Sequence, residues 1–74
     1  MKEKDLKKFL AEFWGIDVNK IKAETSLDNE TIKNLNSIRI YQFYAAIESN
    51  FNVTIKNIEK IKNFKDLLAN IKDN

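Results

Sequence analysis

Residues 34–51 read NLNSIRIYQFYAAIESNF, a run with the form of one helix and its start signal. Asn34, Asn36 and Ser37 are residue types that tolerate the left-handed conformation or cap helix N-termini. From Ile38 to Ile47 only Arg39 and Gln42 are unambiguously polar. On a wheel of about 100° per residue with Ser37 at zero, Ile40, Phe43, Tyr44, Ile47 and Phe51 fall between about 240° and 340°. That face can supply a core. Ile38, Tyr41 and Ala45 fall between about 40° and 100°, a second, smaller apolar set, and Glu48 divides the two. Arg39, Gln42, Ala46, Ser49 and Asn50 complete the polar side. The second set exceeds what a small bundle needs. Either the preceding loop folds over it, or it is a partner-docking or ligand-lining surface, since exposed apolar patches with polar rims tend to be interaction sites.

On the N-terminal side, residues 3–14 predict another helix, with Leu6, Phe9, Leu10 and Phe13 on one stripe, Trp14 widening it and Gly15 ending it. Residues 16–35 show no sustained period, only the isolated anchors Ile16, Val18, Ile21, Leu27, Ile32 and Leu35. So long a stretch carries short helical turns or serves a function, and its anchors predict that it lies against the core. On the C-terminal side, Val53 to Ile55 reads as a short extended piece and Asn57 to Lys60 as a helical turn. A last helix starts at Asn63, an N-cap with Asp66 three residues on, and Phe64, Leu67, Leu68 and Ile71 form its stripe. The expected fold is all-α: one domain over residues 1–74, a small four-helix bundle of three longer helices and one short helix.

Composition narrows the chemistry. The chain has 74 residues, one glycine, and no Pro, Cys or His. Without Cys there is no disulfide or thiolate metal site. Without His the commonest metal ligand and neutral-pH base are missing. A nucleophilic serine would lack its usual base, so a self-sufficient enzyme with catalytic residues of its own is not expected. Glu24, Asp28 and Glu30 read as a solvated acidic loop rather than a metal site. Thirteen bases against eleven acids give a net charge of +2, far from the basic stripe of a nucleic-acid binder. As a helical DNA reader, the run 37–50 offers Arg39 as its only base, where phosphate contacts need several. The start MKEKDLKKF carries no apolar signal core and no run approaches a membrane span, so a soluble cytoplasmic protein is expected.

NLNSIRI resembles the GLDSL signature of the acyl and peptidyl carrier proteins, in which the serine receives a 4′-phosphopantetheine arm. The likeness covers almost the whole chain. FWGIDVNKI is similar to the family's first-helix end: glycine, an aliphatic residue, then an aliphatic residue five positions later. AETSL resembles the loop segment before the signature. IRIYQFYAAIESNFNVTI follows the family pattern without a gap: Ile38 stands at the signature Leu, and Ile47, Glu48, Phe51 and Ile55 stand where carriers place Leu, Glu, Phe and an aliphatic residue. IKNFKDLLANI resembles the closing segment.

The resemblance implies a carrier-protein fold, a covalent 4′-phosphopantetheine cofactor on Ser37, and an acyl or aminoacyl cargo held as a thioester. The cargo would serve fatty-acid, polyketide or other specialised acyl biosynthesis. It implies as partners a phosphopantetheinyl transferase and the acyl-transferring or acyl-ligating enzymes of a dedicated pathway, with the carrier itself a monomer. Asn36, Ile38, Arg39, Tyr41 and Ala45 would dock partners or line cargo.

Three departures qualify the expectation. Asn36 replaces the signature Asp, and Asn34 its Gly. Residues 31–58 hold one acid, Glu48, against Lys33, Arg39 and Lys56, where fatty-acid carriers have an acidic second helix. The loop before the signature is about two residues longer than the commonest form. Charge complementarity sets partner choice and on-rate, so the pattern implies a specialised carrier rather than a housekeeping one. The alternative is a carrier-like fold that never takes the arm and works as a docking module.

Overall fold

Among the described residues, three α-helices and a small antiparallel sheet make up the regular structure. The structure is a computed structural model that describes residues 1–27 and 38–74 together with the backbone of Ser37. Helix α1 spans Glu3–Trp14, α2 Ser37–Phe51 and α3 Phe64–Ala69; strands β1, Val53–Ile55, and β2, Ile71–Asp73, pair with each other. Single 3₁₀ turns lie at Val18–Lys20 and Ile58–Lys60.

The helix ends follow from local chemistry. Gly15 ends α1 in the left-handed region at φ 67°, and its N–H donates to the Ala11 carbonyl. Asn52, with φ 53°, follows the last residue of α2, a position asparagine tolerates without glycine's freedom. At α3, the Asn63 side chain accepts from the Asp66 N–H at 2.8 Å, and the Asp66 carboxylate accepts from the Lys62 N–H at 3.1 Å. This is the reciprocal cap expected from the sequence, with the return bond one residue earlier than in the standard box.

The all-α four-helix bundle is overturned by the end of the chain. The stripe Phe64, Leu67, Leu68, Ile71 predicts helix through Ile71, but α3 stops at Ala69 and Ile71 opens β2. Asn70 is the reason. Its Nδ2 donates back to the Asp66 carbonyl at 2.8 Å, and its Oδ1 accepts from Asn57 Nδ2 at 3.1 Å. The side chain thus ties the helix end to the turn before α3, and the backbone leaves in extended form. Strand β2 then pairs Ile71 with Ile55, Lys72 with Thr54 and Asp73 with Val53. The fourth, short helix of the expectation is only the single 3₁₀ turn at Ile58–Lys60.

The core gathers Leu6, Leu10 and Ala11 of α1, Ile21 after the first 3₁₀ turn, Phe43, Tyr44 and Ile47 of α2, Val53 and Ile55 of β1, and Phe64 and Leu67 of α3. Phe9, Phe13 and Leu68 pack half-buried against it. Rings join α1 to α2: Phe43 lies 5.1 Å from Phe13 and 5.6 Å from Trp14, and Phe9 meets Phe51 edge-on at 5.3 Å. The loop after α1 does lie on the core where it is described. Ile21 is buried and Ile16 and Leu27 are half-buried, while Val18 is exposed. Backbone bonds from Leu27 to Lys62, Phe64 to Thr25 and Lys65 to Ala23 hold it along the start of α3. Ile32 and Leu35 lie outside the described residues.

Candidate functional site

Helix α2 sorts its residues as the wheel predicts. Phe43 and Ile47 are fully buried and Tyr44 nearly so, while Ile40 and Phe51 sit half-buried beside them. On the other side Ile38 is 71% exposed and Tyr41 57%, and Ala45 is exposed as well. The second apolar set is therefore a surface strip, not core. It begins one residue after Ser37, the first residue of the helix. The two tyrosines part company: Tyr44 belongs to the core and Tyr41 to the strip.

Charge in the first turn of α2 is one-sided. The first turn of α2 holds no acid. Arg39 lies two residues after Ser37, and its guanidinium sits 5.2 Å over the Trp14 ring and 5.8 Å over Phe13. Aromatic faces attract cations at this range, so the head of Arg39 is drawn over the end of α1. Trp14 was not anticipated as part of this site. Its only sequence signal is a place at the edge of the α1 stripe, which says nothing about a contact with Arg39. The Trp14 indole N–H is buried and makes no hydrogen bond among the described residues, and nothing in the structure explains it.

The one acid of α2 is turned inward. Glu48 Oε2 accepts from the Ile55 N–H at 2.9 Å. Sheet geometry explains this. Lys56 N–H donates to the Asn70 carbonyl and Asn74 N–H to the Asn52 carbonyl. Hydrogen-bonded pairs alternate along an antiparallel ladder, so Ile55 falls on a non-bonded pair and its N–H points away from β2. Glu48 satisfies that outer edge of β1.

Burial raises the Tyr44 hydroxyl to about 12, with neighbouring Tyr41 adding to the effect. Among the described residues no three His, Cys, Asp or Glu side chains converge to hold a metal ion. Glu24 is exposed, and Asp28 and Glu30 of the expected acidic loop lie outside the described residues. Asn36 lies there too, so of the expected site the structure brings together the backbone of Ser37 with Ile38, Arg39, Tyr41 and Ala45. Among the described residues no helix is long and apolar enough to cross a membrane.

The start of α2 suits a phosphodiester. A helix N-terminus has N–H groups without partners inside the helix and a partial positive charge that favours an anion, and no carboxylate in the first turn of α2 opposes one. No family model matches the chain, and no curated protein matches it.

Proposed function

We propose that this chain is a specialised carrier protein that takes a 4′-phosphopantetheine arm on Ser37. The observation that carries the reading is the position of Ser37. It is the first residue of a fifteen-residue helix, it lies inside the NLNSIRI likeness to the carrier signature, and the exposed strip of Ile38, Tyr41 and Ala45 begins at the next residue.

The chain's own residues have few tasks in this scheme. Ser37 Oγ would become the phosphoester oxygen, losing its proton to the transferase's base as the pyrophosphate bond of coenzyme A breaks and adenosine 3′,5′-bisphosphate leaves. The first turn of α2, with its helix dipole and no acid, offsets the phosphate's charge. Ile38, Tyr41 and Ala45 offer apolar contact to the transferase and to acyl-transferring or acyl-ligating partners. A separate transferase supplies the base, in keeping with a chain that has no His or Cys. The bound arm's terminal thiol would hold an acyl or aminoacyl group as a thioester. The proposed setting is the cytoplasm.

Incubation with coenzyme A and a broad-specificity phosphopantetheinyl transferase tests the reading by intact mass. One arm's increment is expected, and none in Ser37→Ala. An unchanged wild-type mass contradicts it. One feature favours a second reading, an unmodified docking module. Asn36 replaces an acid that, in the carrier family, meets a basic residue of the transferase.

A further inference from the structure

Helix α1 carries a charged ridge opposite its core face. At about 100° per residue, Lys4, Lys8, Glu12 and Asp5 fall within about 100° of one another, and all four are exposed. A groove runs along each side of this ridge. One, of about 350 Å³, is lined by Lys8, Ala11, Glu12, Ile16 and Val18. The other, of about 240 Å³, is lined by Asp5, Lys8, Phe9, Glu12 and Phe51. Lys8 and Glu12 border both. Neither groove is lined by Ile38, Tyr41 or Ala45, so this surface is separate from the strip on α2.

Lys8 and Glu12 are four residues apart on one helix face, yet no ion pair joins them; the α1 pair that does form is Lys7 with Glu3. Residue order is a reason. Glu before Lys at this spacing works with the helix dipole and side-chain geometry, whereas Lys before Glu is the poorer order. Each side chain thus keeps a charge open to an outside partner. The two charges are opposite and equally spaced about the level of Leu10, which makes the ridge self-complementary in an antiparallel two-fold arrangement. Lys8 of each copy then faces Glu12 of the other, as an isologous contact requires. The row Lys4, Lys8, Glu12 is an i±4 ridge, which can seat in the groove beside the same row of a second helix. Ala11 keeps that groove shallow-walled, and Val18, 43% exposed, lines it with apolar surface. A net charge of +2 per chain opposes the approach of two copies only weakly.

We propose that the outer face of α1 is a self-association surface, joining two copies of this chain through reciprocal Lys8–Glu12 pairs over the Ala11–Ile16–Val18 groove. A twelve-residue helix is about 18 Å long, too short for the contact area of a permanent dimer, so the association is weak and transient. It differs from the monomer that the family resemblance implies, and it does not depend on the arm at Ser37.

Sedimentation equilibrium from about 10 µM to about 1 mM at low salt tests it. The average mass should rise from 8.7 kDa toward twice that value, and less so in high salt, where exposed pairs are screened. Lys8→Glu or Glu12→Lys alone should weaken association about tenfold or more. The double variant K8E/E12K should regain most of it, less the part lost because its new Glu–Lys order also pairs within one helix. All three changes are at exposed positions, and circular dichroism with thermal melting verifies that each variant is folded. A chain that stays at monomer mass to 1 mM overturns the proposal. So does self-association unaffected by the single reversals, or single reversals that weaken it with no recovery in the double variant.

Discussion

Tyr44 shows what one residue's surroundings do to its chemistry. It is 4% exposed, and its hydroxyl is pushed up to about 12 by loss of solvent and, secondarily, by Tyr41. The folded value lies above the unfolded value near 10, so the folded chain holds this proton more tightly. The stabilisation is complete below about pH 10 and is lost as pH rises through about 12. Urea midpoints of the wild type should therefore fall across that window more steeply than those of Tyr44→Phe; parallel curves would show that Tyr44 titrates alike in both states. Asn36 makes the other residue-scale prediction. If its missing charge slows the transferase, Asn36→Asp should speed modification by a transferase that prefers acidic carriers, measured as initial rates. Equal rates would show that the charge does not matter.

At the scale of elements, Glu48 joins α2 to β1. A bond from a backbone N–H to a carboxylate contributes more than a neutral one. Replacing Glu48 by Ala leaves the Ile55 N–H without its partner and should lower unfolding stability by about 1.5 kcal/mol, with Gln costing less. Denaturant unfolding checks this, and an unchanged midpoint would contradict the edge-capping role. Elements also divide what was legible in the sequence from what was not. Helices α1 and α2 carry repeating stripes over three or four turns, and the signal is strong enough to place their boundaries within a residue. Strand β1 was visible as a β-branched run, Val53 to Ile55. Strand β2 was not. Three residues are too few to show an alternating period, and Ile71 happens to continue the stripe of α3. The deciding contact, Asn70 to Asn57, links residues thirteen apart and leaves no local trace.

At the scale of the molecule, the wheel of α2 separates core from surface on sequence alone, because the core side of a helix is set by its own periodicity. The contact of Arg39 with Trp14 was illegible, since it depends on how α1 and α2 pack. Pairing β1 with β2 matters here as well. It holds the chain's last segment beside β1, the strand whose outer edge Glu48 caps, while Ile38 and Tyr41 of the strip stay exposed. The molecule thus presents two separate surfaces: this apolar strip beside Ser37, and the charged ridge of α1. The first would serve enzymes and the second another copy of the chain.

The central claim is that one serine among three, Ser26, Ser37 and Ser49, receives the arm. Fragmentation mass spectrometry of the chain after treatment with coenzyme A and a transferase tests it most directly. The account predicts a single phosphopantetheine increment on the fragment that contains Ser37 and none on those that contain Ser26 or Ser49. An unmodified chain, or an arm located on either of the other serines, would contradict it.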